Sequence, residues 1–335
     1  MQAGETNIPG FVDLQVNGYK RIDFSSASLT PEDVYRVTSM LVEAGTIVYL
    51  PTMVTCQMEI YERNLRIFAE VLKDKNIRQH IPGIHLEGPF ISPLDGARGA
   101  HPLECIQKPS IEVLKKFQDW SEGNIKLITL APEIEGAIEI IRYAIKDSIL
   151  VSLGHHLADD EAMDAAVKAG ASLATHLGNG LPGMINRHQN PLWWELACDE
   201  LYGMFITDGH HLPDDYIKVA LRAKKSHRFL VVSDMSDLAG MPPGRYEFHG
   251  APVTLAPSGR ISLADTPYLA GSSAVMIQCM NKLASLNVLS KKELIKIGFF
   301  APLKLLKIKP ETILNESSKK CLSYVDGQFR QEVAN

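Results

Sequence analysis

Short apolar runs alternate with longer amphipathic stretches from residue 10 to residue 233. The runs are Gly10–Val16, Gly45–Pro51, Ile81–Leu86, Ile125–Leu130, Ile149–Leu153, Ser172–His176, Gly203–Thr207 and Phe229–Ser233. Each is short enough for a strand and apolar enough to be covered on both faces, the signature of a buried parallel strand. Between them the spacing predicts helices over Thr30–Ala44, Met58–Lys73, Ile111–Trp120, Ile134–Ile145, Asp159–Ala169 and Pro213–Ala223. The first opens on Thr30-Pro31-Glu32-Asp33, an N-cap with proline in the first turn. Eight β-type runs separated by helical patterns call for βαβ units and a parallel sheet. Eight units fit a closed (β/α)₈ TIM-type barrel better than an open sheet, and no GxGxxG follows the first run to suggest a dinucleotide fold.

The pattern changes after residue 233. Arg245–Leu255 and Arg260–Leu263 read as a hairpin around Pro257-Ser258-Gly259. Helical spacing returns over Ser273–Leu286, Lys291–Ile297 and Pro302–Leu306. Cys321–Val325 and Gln328–Val333 flank Asp326-Gly327, a dipeptide suited to a type I′ turn. The expected division is a barrel over 1–310, with a β-hairpin excursion at about 245–264, and a C-terminal tail over 311–335 carrying a second hairpin.

Composition removes several classes of function. The net charge of −5 offers no basic field to recruit nucleic acid or an anionic membrane. No apolar run is long enough to span a bilayer, and the polar stretch Met1–Ile8 lacks the plan of a secretory leader. The expected location is the cytoplasm. Five cysteines, scattered and without CxxC spacing, fit reduced thiols better than disulfides or a cysteine zinc site.

The remaining polar residues collect at the C-terminal ends of the runs, the face on which barrel enzymes build their sites. Gln15 and Asn17 end the first run, His85 and Glu87 the third, His155 and His156 the fifth, and His176 with Asn179 the sixth. Asp208, His210 and His211 end the seventh, and Asp234 the eighth. A lone histidine near a strand end is ordinarily a hydrogen-bonded structural residue, but polar clusters at six strand ends together point to chemistry. Glu87, His155 and His176 are the best metal candidates: one carboxylate and two imidazoles suit Zn²⁺ with a position left for water. Fe²⁺, Co²⁺ and Mn²⁺ also suit a mixed nitrogen and oxygen site. Asp234 could then move a proton, although an Asp after a strand also commonly caps a turn.

At His85-Leu86-Glu87-Gly88-Pro89-Phe90, followed by Gly99-Ala100-His101-Pro102, the chain resembles the N-acetylglucosamine-6-phosphate deacetylase family of the amidohydrolase superfamily. Pro9–Asp13, Leu130–Glu133, Ser152–His155, Thr175–Leu177, Val232–Asp234 and Leu269–Ser272 continue the resemblance over roughly residues 9 to 300. It implies one divalent metal on Glu87, His155 and His176, with Gln15 and Asn17 replacing the His-x-His of two-metal relatives. It implies Asp234 as general acid and base, and His101 polarising the acetyl carbonyl. Asn179 and Gly180 would hold the substrate phosphate, His211 and Ser272 would bind substrate, and Arg187 would reach the phosphate across a homodimer interface. The implied reaction is hydrolysis of the N-acetyl group of N-acetylglucosamine-6-phosphate to glucosamine-6-phosphate and acetate. The alternatives are N-acetylgalactosamine-6-phosphate, an unphosphorylated N-acetyl sugar or another small amide. Family members carry several strands before the Pro-Gly-Phe segment; with eight residues before Pro9, the small β-domain is expected to be reduced to the C-terminal hairpins or missing.

Overall fold

The computed structural model describes residues 8–248, 251–264, 269–316 and 320–333. The stretch before Ile8 read for a leader, and residues 249–250 within the expected 245–255 arm, lie outside these. Eight strands form one sheet: β1 Phe11–Val16, β2 Thr46–Val54, β3 Ile84–Glu87, β4 Ile125–Leu130, β5 Leu150–Leu153, β6 Leu173–Ala174, β7 Tyr202–Ile206 and β8 Phe229–Val232. Each pairs in parallel with the next. The sheet curls until its edges meet through a Val16–Met235 bridge and two backbone bonds, Asp234 N–H to Gln15 O (3.0 Å) and Asn17 N–H to Met235 O (2.9 Å). The fold is therefore the expected (β/α)₈ barrel.

The outer ring consists of α1 Pro31–Glu43, α2 Met58–Val71, α3 Ile111–Trp120, α4 Ala137–Lys146, α5 Asp160–Ala169, α6 Pro191–Ala197, α7 Asp214–Arg228 and α8 Met276–Ser285. One follows each strand. In α1, Thr30 Oγ1 accepts from Asp33 N–H (3.2 Å) while Asp33 Oδ2 accepts from Thr30 N–H (3.1 Å), which satisfies two end donors at once. Its buried stripe, Val34, Val37, Thr38 and Leu41, follows the i, i+3, i+4, i+7 pattern that turns one helix face to a sheet. No described helix is long and apolar enough to cross a membrane. All five cysteines are free thiols.

The excursion after β8 is a three-stranded antiparallel sheet, not a two-armed hairpin. The expected arm Arg245–Leu255 folds back on itself as β9 Gly244–Phe248 and β10 Ala251–Leu255, with Phe248 paired to Ala251, and β11 Ile261–Leu263 completes the sheet. Leu238, Val253, Leu255, Ile261 and Ala270 form a separate small core beneath it. The final hairpin, β12 Lys320–Val325 and β13 Gln328–Val333, is as expected: Asp326 (φ 52°) and Gly327 (φ 78°) both take the left-handed conformation a type I′ turn requires. It seals the N-terminal end of the barrel, where Leu322 bridges Ile8, Phe329 meets Phe11 edge-on at 4.9 Å, and Asn281 of α8 bonds both N–H and C=O of Phe329.

Candidate active site

Three barrel strands end in the same way. His155, His176 and Asp234 each stand two residues beyond the last paired residue of β5, β6 and β8. Each adopts positive φ: 53°, 30° and 49°. Left-handed backbone at a non-glycine residue costs on the order of 1–3 kcal/mol and persists where the surrounding structure enforces it. Here the turn swings each side chain from the strand's direction toward the barrel axis. Gly154 permits the turn before His155, because a Cβ there would stand 2.7 Å from Thr175 Cβ and 2.9 Å from Thr129 Cγ2.

Glu87 Oε1 lies 3.1 Å from His155 Nε2 and 3.0 Å from His176 Nε2, and the two ring nitrogens are 3.0 Å apart. All three residues are buried. His155 Nδ1 donates to Ala97 O at 2.9 Å, which turns Nε2 toward Glu87 Oε1, the position from which it would ligate a cation. Two imidazole nitrogens and a carboxylate oxygen pointed at one another within 4.8 Å are a donor set that a divalent cation satisfies in full. Burial pushes the Glu87 carboxyl up, but hydrogen bonds from His155 and His176 outweigh it and hold the group well below its usual range.

The amides at the first strand end take a different part. Gln15 Nε2 donates to Glu87 Oε1 (2.9 Å) and Asn17 Nδ2 donates to Asp234 Oδ1 (2.8 Å). Each therefore orients a carboxylate across the barrel rather than offering a ligand nitrogen. Burial, with the Glu87 charge adding to it, lifts Asp234 to about 6.

His101 receives Thr55 N–H at Nδ1 (3.4 Å), with Thr55 Oγ1 at 2.8 Å. A backbone N–H can only donate, so the neutral ring carries its proton on Nε2. His211 is held through Nδ1 by Asp208 Oδ2 at 2.7 Å, and Asp208 Oδ1 accepts the N–H groups of His210 and His211. Burial would raise the Asp208 carboxyl, but the hydrogen bond and charge of His211 outweigh it and bring it to about 2.

A pocket of about 210 Å³ gathers Glu87, His101, His155, His176, Asn179, Gly180, His211 and Asp234 around one space. Gly180 (φ 65°) backs the ligand rings: a Cβ there would come within 3.1 Å of His155 Nδ1 and His176 Cε1. Two expected substrate-binding residues are not in this space. Ser272 is buried behind the wall, where its Oγ accepts Ala274 N–H at 3.1 Å and its C=O bonds Ser236, and Gly271 faces the pocket in its place. Arg187 is exposed on the 181–190 loop, its carbonyl taking Trp193 Nε1–H at 3.1 Å. His85 lies deeper in the barrel, against Leu14 O and Thr129 Oγ1, and His156 turns away to Glu195 at 3.0 Å. Thr55 and Phe248, which sequence reasoning did not single out, complete the surroundings: Thr55 fixes His101, and Phe248 lines the pocket from β9.

A closed parallel barrel with a buried Glu–His–His cluster and an acid at the end of β8 defines an amidohydrolase. No family model matches the chain. It is 35% identical over 268 residues to N-acetylglucosamine-6-phosphate deacetylase of Bacillus subtilis, an alignment covering 79% of this chain and 66% of that protein. With the enzyme of the same name from Lysinibacillus sphaericus the identity is 30% over 314 residues, 94% of this chain and 80% of that one. A mutant N-acetyl-D-glucosamine-6-phosphate deacetylase from Mycobacterium smegmatis, solved in complex with N-acetyl-D-glucosamine-6-phosphate, superposes with a TM-score of 0.82 at 25% identity, covering 90% of this chain and 78% of that one. The chain belongs to the N-acetylglucosamine-6-phosphate deacetylase family.

Proposed function

We propose that this chain hydrolyses N-acetylglucosamine-6-phosphate to glucosamine-6-phosphate and acetate, with Glu87, His155 and His176 holding one divalent metal ion. The observation that carries the mechanism is the placement of Asp234 in the same pocket as the donor set, fixed by Asn17. Bound there, the ion would supply Lewis acidity, the property that brings water toward a pKa of about 7 and polarises a carbonyl. Asp234, with its carboxyl raised to about 6, is largely ionised at neutral pH and takes the proton of the attacking water. His101 Nε2–H donates to the acetyl oxygen as negative charge develops there. Asp234 then returns the proton to the amine nitrogen as the C–N bond breaks, so amide and water become amine and acetate.

His211, oriented by Asp208, and the Asn179–Gly180 loop bind the sugar phosphate in this reading. Donor type favours Zn²⁺. Arg187, exposed on its loop, suits a role at a homodimer interface and reaches a neighbour's phosphate. The cytoplasm, where sugar phosphates are retained, is the matching location.

The test is free-amine release by metal-loaded protein from N-acetylglucosamine-6-phosphate, with N-acetylglucosamine and N-acetylgalactosamine-6-phosphate assayed alongside. Efficient release from the first alone is expected. Release from none, with metal bound, would overturn the substrate assignment, and preference for either other sugar would replace it.

A further inference from the structure

Beside the active-site pocket lies a second cavity of about 450 Å³, walled by the β1–α1 loop, the chain beyond β8 and the excursion sheet. Among the described residues, Phe248 is the one that lines both. Its character differs from the first: Arg21, Arg36, Asp23, Asp33 and two serines surround it, a mixture of donors and acceptors suited to hydroxyl groups. The two guanidinium groups are already paired, Arg21 with Asp237 and Arg36 with Asp33, each at 2.8 Å, so the cavity presents no bare charge to attract an anion.

Phe248 is held in place from outside. Arg21 bonds Asp237 through its side chain, and its N–H donates to Asp237 O at 2.6 Å. The same guanidinium reaches Glu247 O (3.4 Å) and lies 5.9 Å from the Tyr246 ring centre, so it touches the two residues before Phe248 on β9. Lys20 and Arg21 both take positive φ (46° and 67°) in the tight hairpin that presents this clasp.

We propose that Phe248 is a specificity-determining partition, kept closed by the Arg21 clasp, and that the cavity behind it is a latent subsite for a second sugar. The inference rests on the proposed amino-sugar reaction. In that reaction the acetyl carbonyl lies over the Glu–His–His cluster near Asp234, and the phosphate lies toward Asn179 and Gly180. The second cavity opens on the other side, beside the β1 and β8 ends. A substituent on the anomeric carbon, which adjoins the ring carbon bearing the acetamido nitrogen, would run into Phe248. With Phe248 in place the pocket admits a single sugar, and without it a glycosidically linked unit finds a hydroxyl-binding space.

The experiment compares kcat/KM for N-acetylglucosamine-6-phosphate and for a β-glycoside of it carrying a second sugar, both followed by amine release with metal content checked. The wild type is expected to disfavour the glycoside by a factor of at least ten. Phe248→Ala should reduce that discrimination about tenfold, and Phe248→Leu should do so partially. Arg21→Ala should shift the ratio in the same direction, with Arg21→Lys restoring part of it. An unchanged ratio in both Phe248 variants overturns the partition. Absence of turnover of the parent sugar by the wild type would instead overturn the proposed function; the partition is then read from calorimetric binding of the same two sugars, where an unchanged ratio in Phe248→Ala again defeats it.

Discussion

Asp234, half-buried, and Glu87, buried, are sent in opposite directions by their neighbours: one raised to about 6, the other held well below its usual range by two imidazoles. Replacing Asp234 with Asn removes the proposed proton acceptor while keeping its shape. Metal content should stay at one equivalent and kcat should fall about 10²–10⁴-fold, measured by metal analysis and amine release on the same sample. Gln15→Ala has the converse signature. It deletes the 2.9 Å donor to Glu87 without touching a ligand, so metal affinity should weaken roughly 10–100-fold in competition with a chelating indicator, with turnover recovered in excess metal. Sequence made Glu87, His155, His176 and Asp234 legible because their chemistry is inseparable from their residue type and strand-end position. Thr55 and Phe248 carry no such mark, since a hydroxyl or a phenyl ring serves many purposes and only the folded backbone shows which. Ser272 lies behind the pocket-lining Gly271 for a related reason: the chain's direction there turns it inward.

At the scale of elements, local signals were most reliable where one element carried all its own instructions. The α1 capping box and the Asp326-Gly327 turn are both complete within a few residues. Thr30→Ala removes the cap at the head of α1 and should cost about 1 kcal/mol in urea unfolding at fixed metal concentration, with kcat unchanged. The sixth run kept only Leu173 and Ala174 as a paired strand, because Thr175 and His176 are diverted into the left-handed turn that delivers the candidate metal ligand. Functional geometry there overrides a pattern that reads as a longer strand. The excursion failed for another reason. Its β9 and β10 are both short and rich in strand-forming residues, so the sequence reported one strand where two pair antiparallel.

For the whole molecule, two carboxylates outside the metal cluster give stability opposite slopes with pH. Asp208, held to about 2, contributes on the order of 2 kcal/mol that is fully present above its unfolded value of 3.8 and is lost as pH falls through about 2. Asp13, raised to about 7 by burial, folds more readily when neutral, so its contribution is present below 3.8 and is lost as pH rises through about 7. Urea titrations from pH 2 to pH 8 should therefore show the wild type losing its advantage over Asp208→Asn at the acid end. They should show Asp13→Asn gaining on the wild type toward pH 8. Parallel curves would remove both assignments. The left-handed residues at three strand ends add a liability that no titration reports. His155, His176 and Asp234 are the positions where a glycine would relax the backbone, and where it could not do the chemistry. A laboratory selection for heat resistance that did not also demand turnover would drift toward those substitutions, and the hardiest descendants of this enzyme would be its inert ones.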